Sequence, residues 1–172
     1  MSHPDQSRRV FATLFTYLTW IVILGILFMF FDNQLLEREN PNHNLVASQT
    51  TSNEKPVILT RNRKGHYVAP GLINETPVTF LLDTGATDIS IPAAVIEKLY
   101  IRKGHPIQAH TANGTITVYA TTLDSVTLGG ITLYDITASI NPHMKGETVL
   151  LGMSFMKHLE MTQRGDTLTL KH

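Results

Sequence analysis

The residues with the clearest chemical potential are Asp83, Thr84 and Gly85, which follow the apolar run Phe80-Leu81-Leu82. This run predicts a buried strand that ends at Asp83. A carboxylate in that place is costly to desolvate unless it accepts hydrogen bonds. Gly85 allows the sharp turn that points its N–H at the carboxylate, and the Thr84 hydroxyl can donate or accept. The pattern predicts an ionisable group held rigidly at the floor of a cleft.

A second apolar strand that ends in glycine, Thr148-Val149-Leu150-Leu151-Gly152, supports this interpretation, and a short helical pattern follows it over Met153–Leu159. With both features, the sequence resembles the single-domain retropepsin-like aspartic proteases, and most closely their bacterial membrane-anchored group. The resemblance covers about residues 66–171 and is carried by Phe80–Ile91, Thr111-Ala112-Asn113-Gly114 and Leu150-Leu151-Gly152-Met153-Ser154-Phe155. The alternative is a buried aspartate that caps a turn in an unrelated β protein.

The resemblance implies a role for each residue of the Asp-Thr-Gly loop. Asp83 is the expected catalytic carboxylate, and Thr84 interlocks the loops of two subunits. Gly85 helps to bind the carboxylate and substrate, and Ala86 is small where the substrate backbone passes. Thr87 and Asp88 are expected to line the cleft, although a turn-capping role for Asp88 is an equal alternative.

Peptide hydrolysis by carboxylates needs two of them close together. One is ionised and takes a proton from water, while the other is protonated and polarises the scissile carbonyl. Two carboxyls that share a site behave in this way because like charges cannot both ionise, as in aspartic proteases generally. The sequence contains one Asp-Thr-Gly, whereas two-lobed pepsin-like enzymes carry two on a far longer chain. We therefore expect a homodimer with one Asp83 from each subunit at the two-fold axis.

A hairpin centred on Asn113-Gly114 occupies the place of the family's flap, which closes over substrate and excludes water. His110, Thr111 and Ile116 are candidate flap contacts, together with Asn113 and Gly114 themselves. An ordinary surface hairpin is the alternative. The hairpin departs from the viral retropepsins, whose flap has several glycines where this one has one.

Leu150, Leu151 and Gly152 are predicted to be structural. They are expected to pack behind Asp83, with Gly152 allowing a close approach of the backbone. Substitutions there should damage folding rather than chemistry.

The composition of the 172-residue chain limits the other possibilities. Its net charge is zero, which argues against nucleic acid as a general partner. The absence of cysteine excludes disulfides and thiol catalysis. The eight histidines form no His-Glu-x-x-His or similar spacing, so we expect neither a metal site nor a cofactor.

The N-terminal part of the chain predicts a membrane anchor. Residues 1–9 are polar and end in Arg8-Arg9, and residues 10–31 contain no charge. As a helix this run spans about 33 Å, enough for a bilayer core. It lacks the small-residue cleavage site of a signal peptide. The positive-inside rule places the N-terminus in the cytoplasm and the rest outside the cytoplasmic membrane, in the periplasm or extracellular space.

Residues 32–55 are polar and predict a flexible linker. Residues 56–172 contain many short strands with evenly spaced turns, which predicts a mainly β domain. Asn74-Glu75 and Gly129-Gly130 are predicted hairpin turns, and Thr115–Thr122 and Leu123–Leu128 are predicted as separate strands. The resemblance implies a small closed β-barrel, the acid-protease fold, with one or two short helices. The leading interpretation is a membrane-anchored, homodimeric aspartic endopeptidase that acts on peptides or proteins. The alternatives are a non-catalytic, dimeric peptide-binding module and a protease that processes only itself or one partner.

Overall fold

The computed structural model describes residues 4–46, 56–111 and 114–172. They form two compact units, which divide between Arg38 and Glu39. The first unit consists of helix α1, which runs Pro4–Glu39. Its segment Phe11–Phe31 has 21 residues and is long and apolar enough to cross a membrane. A helix of this kind near the N-terminus is either a membrane span or a signal sequence.

The predicted linker over residues 32–55 differs from the structure at its N-terminal end. Helix α1 continues to Glu39. The residues that extend it all have high helix propensity; they are Gln34-Leu35-Leu36-Glu37-Arg38-Glu39. The sequence analysis did not predict this extension because the segment has no long apolar periodicity. Residues 47–55 of the predicted linker lie outside the described residues.

The short segment after α1 is part of the folded domain. Asn42 is buried, and its side-chain amide donates to the carbonyls of Thr60 at 2.9 Å and Val68 at 2.7 Å. Its side-chain oxygen accepts from the Thr60 N–H at 2.7 Å. Leu45 packs against the core. A buried amide with three hydrogen bonds fixes this segment on the domain, because breaking them would leave main-chain groups unpaired.

The second unit is mainly β, as the sequence predicts. The strands are β1 (Val57–Thr60), β2 (Val68–Ile73), β3 (Thr76–Leu82), β4 (Ile89–Pro92), β5 (Pro106–Thr111), β6 (Gly114–Leu128), β7 (Ile131–Asn141), β8 (Val149–Leu151), β9 (Glu160–Arg164) and β10 (Thr167–Lys171). A 3-10 turn at Ala93–Val95 leads into helix α2 (Ile96–Leu99), and helix α3 (Met153–Met156) follows β8.

The strands form two sheets. One has seven strands in the order β2-β3-β8-β4-β7-β6-β5, with an additional pairing of β2 with β6, and the other has three in the order β1-β10-β9. The pairs β3–β8 and β4–β7 are parallel. Strand β8 therefore lies between β3 and β4 and runs beside the end of β3, where Asp83 follows. Closure of the larger sheet into a barrel stays a prediction.

The hairpins confirm the predicted turns and correct one strand. Asn74 and Glu75 connect β2 to β3 with φ of 47° and 66°, the left-handed angles that a tight two-residue hairpin requires. Gly129-Gly130 connects β6 to β7. The sequence predicts separate strands over Thr115–Thr122 and Leu123–Leu128, whereas the structure has one strand of 15 residues. No glycine or proline interrupts this stretch, so the ladder continues.

Apolar side chains from both sheets and from α3 share one core. Phe80 on β3, Leu151 on β8 and Phe155 on α3 are fully buried. Burial of each such side chain contributes about 1.5–3 kcal/mol. The elements on either side of Asp83 are therefore fixed by the core itself.

Candidate active site

Asp83 follows the last residue of β3 and begins a tight loop. Its carboxylate Oδ1 accepts from the Gly85 N–H at 2.9 Å. Its own N–H donates to the Leu151 carbonyl at 3.1 Å, and its carbonyl accepts from the Ala86 N–H at 3.2 Å. The side chain is half-buried. The carboxylate is thus held by the Gly85 main-chain donor, while two further bonds fix the Asp83 main chain. It remains accessible, as a general acid or base requires.

Strand β8 and the start of α3 hold the other side of the loop. Leu82 lies beside Leu151 in the parallel pairing. Beyond the strand, the Met153 N–H donates to the Ala86 carbonyl at 2.8 Å, and the Ser154 N–H donates to the Thr87 carbonyl at 2.8 Å. The loop is therefore bonded to residues that lie far downstream in the sequence.

Gly152 lies at the closest approach between these segments. A β carbon there would be 2.2 Å from the Asp88 carbonyl oxygen and 2.8 Å from that of Ala86. Leu151 and Gly152 are buried and Leu150 is half-buried. Leu151 and Gly152 contact the Asp83 loop, whereas Leu150 lies beside Leu81 and Ser90 in the neighbouring strands.

The other predicted loop residues differ in exposure. Thr84, Gly85 and Thr87 are exposed, and Ala86 and Asp88 are half-buried. Burial raises the pKa of the Asp88 carboxyl above its ordinary value of 3.8, and the nearby Lys157 ammonium lowers it by less. Asp88 is therefore a partly buried second carboxyl near the Asp83 loop, with a raised pKa.

The described residues of the predicted flap lie on the β5–β6 hairpin, which is separate in sequence from the Asp83 loop. Thr111 pairs with Gly114 at the end of the ladder, and the Thr111 hydroxyl donates to the Gly114 carbonyl at 2.8 Å. His110 Nδ1 is 2.9 Å from the Thr115 hydroxyl. Ile116 is half-buried, while His110, Thr111 and Gly114 are exposed. Asn113 lies outside the described residues.

Two contacts near the loop were missed by sequence reasoning. The buried Ser154 hydroxyl accepts from the Ile89 N–H at 3.1 Å, which joins α3 to the start of β4. The Ser90 hydroxyl contacts the Met144 sulfur at 3.2 Å. Both pairs join residues more than fifty positions apart, and a serine or methionine in the sequence carries no signal of such a partner. In residues 11–31, 37–46, 56–111 and 114–172, no group of three or more His, Asp and Glu side chains could hold a metal ion.

Comparison with known proteins identifies the class to which this loop and topology belong. The family described as "gag-polyprotein putative aspartyl protease" matches residues 69–158, just over half of the chain. The chain belongs to this family. Its fold is that of the retropepsin-like aspartic proteases. In sequence it is 26% identical to such a protease from Rickettsia conorii, whose crystal structure aligns with a TM-score of 0.58. The alignment covers 69% of this chain and 90% of the other.

Two further proteins are similar to the chain. EIAV protease, solved with the inhibitor HBY-793, is 22% identical with a TM-score of 0.44, over 58% of this chain and 93% of that one. A protein of Sinorhizobium sp, "Uncharacterized protein in cobV 5'region", is 29% identical over 145 residues, which are 82% of this chain. The chain spans 62% of the length of that relative.

Proposed function

We propose that the chain is an aspartic endopeptidase whose active site is shared by two copies, each of which supplies one Asp83. The observation that carries this proposal is the Asp83 carboxylate held by the Gly85 N–H at the end of a core strand. The family supports a peptidase. The sequence contains one Asp-Thr-Gly, and carboxylate-dependent peptide hydrolysis requires two coupled carboxyls.

The two Asp83 carboxyls would bind one water between them. Their proximity keeps one ionised and one protonated, because the second ionisation would place like charges side by side. The ionised carboxylate takes a proton from the water as it attacks the scissile carbonyl, and the protonated carboxyl donates to the carbonyl oxygen. The proton taken from water then passes to the leaving amine. No metal or cofactor takes part.

The surrounding residues divide into three groups in this proposal. Thr84, Gly85 and Ala86 form the loop at the two-fold axis, and the exposure of Thr84 and Gly85 in the single chain leaves them available to a second copy. Thr87 and Asp88 contact substrate, as do the hairpin residues His110, Thr111, Asn113, Gly114 and Ile116. Leu150, Leu151 and Gly152 support the loop from behind.

The N-terminal segment would anchor the protease to a membrane. We propose residues 1–9 as a cytoplasmic N-terminus, residues 10–31 as a single-pass helix in a bacterial cytoplasmic membrane, and residues 56–172 as the protease domain outside it. The apolar stretch Phe11–Phe31 supports a membrane span, and Arg8-Arg9 before it support the orientation. Residues 32–55 connect the two parts, with 40–45 bound to the domain.

Titrating Asp83→Asn into the wild-type protein tests the shared site. The substitution keeps the shape of the side chain but removes the ionisable group. With free exchange and random pairing at equal amounts, about half of the dimers are mixed and a quarter are wild type. If mixed dimers are inactive, peptide cleavage per wild-type chain falls to about half.

The matched control is Asp124→Asn, which changes an exposed aspartate on β6 and should leave cleavage per chain unchanged. Unchanged cleavage after mixing with Asp83→Asn, with subunit exchange confirmed by a label, would refute the shared site. Undiminished cleavage by pure Asp83→Asn would refute Asp83 as the catalytic group. Peptide binding without cleavage by the wild type would favour the non-catalytic binding module.

A further inference from the structure

A cationic loop, residues 61–66, connects β1 to β2. Its side chains Arg61, Arg63 and Lys64 are exposed. Arg61 forms an ion pair with Asp166. Within the described residues, Arg63 and Lys64 belong to no ion pair. The loop therefore carries two uncompensated positive charges at the surface of a chain whose net charge is zero.

Asn62 fixes the conformation of this loop. Its side-chain oxygen accepts from the Lys64 and His66 N–H groups, both at 3.0 Å. Its own N–H donates to the His66 carbonyl at 2.8 Å, and its carbonyl accepts from the Gly65 N–H at 3.0 Å. Four hydrogen bonds to one residue hold the backbone in place. The charged side chains therefore project from a preorganised loop, which lowers the entropic cost of binding a ligand.

Asn62 also connects the loop to the end of α1. Its side-chain nitrogen donates to the carbonyl of Glu39 at 3.0 Å, and Glu39 is the last residue of that helix. The apolar segment ends eight residues earlier, at Phe31, and eight helical residues rise about 12 Å. The polar headgroup layer extends about 5–8 Å beyond the hydrocarbon core. If the apolar segment fills that core, arginine and lysine side chains on the loop are within reach of the headgroups.

We infer that Arg63 and Lys64 bind the phosphate groups of anionic phospholipids in the leaflet that faces the protease domain. The inference rests on the membrane anchor of the proposed function. The positive side chains match the charge of the headgroups, and the bond to Glu39 keeps the loop close to them. A cleft of about 500 Å³ lies against the loop, which is room for a phosphodiester. The one carboxylate that lines it, Asp166, is paired with Arg61.

A second cationic pair on the domain serves as a comparison. Arg102 and Lys103 are also exposed, and they line a different cavity together with Asn74 and Asp124. Asn74 follows the last residue of β2, whereas the cationic loop precedes its first. The six residues of β2 span about 20 Å. This pair therefore has the same charge as Arg63 and Lys64 but lies at the other end of the strand.

Fluorescence quenching in proteoliposomes tests the inference on the full-length protein. The chain contains no cysteine, so His66→Cys carries a single fluorophore at an exposed position of the loop. The vesicles contain phosphatidylcholine alone or with about 30% phosphatidylglycerol, and the same small fraction of a lipid with a nitroxide on its headgroup. Quenching should be stronger on the anionic vesicles, because each cationic side chain near such a surface favours binding about fivefold. A fluorophore at Asp124→Cys should show no such difference.

Charge removal provides a second measurement. Arg63→Gln combined with Lys64→Gln leaves the main-chain bonds to Asn62 in place. It should lower the ratio of membrane-bound to unbound loop about 25-fold on anionic vesicles. Arg102→Gln combined with Lys103→Gln makes the same charge change at the other end of β2 and should retain wild-type quenching. Raising the ionic strength from about 0.01 M to about 1 M shortens the Debye length from about 30 Å to about 3 Å and should remove the difference between the two lipid compositions.

The outcomes separate this inference from the proposed function. Wild-type protein that fails to float with either kind of vesicle would refute the anchor and, with it, the lipid contact. Protein that floats but is quenched equally in both lipid compositions would overturn the lipid contact and leave the anchor standing. Wild-type quenching of the Arg63→Gln, Lys64→Gln variant would do the same. The titration of Asp83→Asn into wild type measures cleavage, so it judges the shared active site independently of these results.

Discussion

Gly152→Ala tests how far the Asp83 loop depends on the chain that crosses behind it. The backbone of Gly152 has φ −89° and ψ −173°, which any residue can adopt. The difficulty is space, because a β carbon would lie 2.2 Å from the Asp88 carbonyl oxygen and 2.8 Å from that of Ala86. Favourable contacts between such atoms begin near ~3.5 Å. Both neighbours are main-chain atoms, so either the loop or the start of α3 must move.

The cost has two parts. Overpacking in a core costs about 1–3 kcal/mol. Movement of α3 also weakens the bonds from the Met153 and Ser154 N–H groups to the loop, both 2.8 Å long, and each contributes about 0.5–1.5 kcal/mol. We expect a total loss of roughly 2–6 kcal/mol from the free energy of unfolding, out of the ~5–15 kcal/mol typical of a domain. At about 3 °C per kcal/mol, the melting temperature should fall by at least ~6 °C.

Denaturant unfolding of the purified protein in detergent would measure this loss. Gly130→Ala is the matched control: its backbone φ is not in the left-handed range, and an added β carbon would meet no atom within 4 Å. It should change the free energy of unfolding by less than ~0.5 kcal/mol. A Gly152→Ala protein as stable as the control would show that loop and helix separate freely, and would refute this close packing of Gly152 against the loop.

Three further perturbations test the anchored segment, the second carboxyl and the orientation. Asn42→Ala leaves three main-chain groups of Thr60 and Val68 without the Asn42 side chain as a partner, and should destabilise the domain by about 2–4 kcal/mol. Asn44→Ala, at an exposed position, should be neutral. Equal melting temperatures of the two variants would contradict the structural role of Asn42. Because burial raises the pKa of Asp88, ionisation of its carboxyl favours the unfolded state. This destabilisation is absent at a pH below the ordinary pKa of the carboxyl and appears as the pH rises through that pKa. Asp88→Asn should therefore melt higher than wild type at about pH 7 but not at about pH 3, and a difference independent of pH would contradict the assigned cause. A reporter fused after His172 should be active only outside the cytoplasm, and cytoplasmic activity would refute the proposed topology.

The features that could be predicted from sequence are those whose signals are local. The strand that ends at Asp83 is marked by the apolar run before it. The hairpins at Asn74-Glu75 and Gly129-Gly130 are marked by turn residues between apolar stretches. The hydrogen bond from the Gly85 N–H to the Asp83 carboxylate joins residues two positions apart. Each of these depends on residues that are neighbours in the sequence.

The features that could not be predicted depend on distant partners. Asn42 lies in a polar segment typical of a linker, and only the carbonyls of Thr60 and Val68 make it a structural residue. The Ser154 hydroxyl accepts from Ile89, 65 positions away. Strand β9 is the last strand in the order β1-β10-β9 because β10 pairs with β1, and no pattern within β9 indicates that order. Physical reasoning from sequence fails here because the topology decides which distant group each of these residues contacts.

Helix α3 meets one requirement of the proposed site shared by two copies. Such a site needs each carboxylate to be fixed within its own subunit. The first residues of α3 donate to the carbonyls of Ala86 and Thr87, while Phe155 anchors the helix in the core. Three residues later the chain enters β9. A displacement of α3 would therefore move the loop that carries Asp83, and in the proposed shared site it would change the separation of the two Asp83 carboxyls.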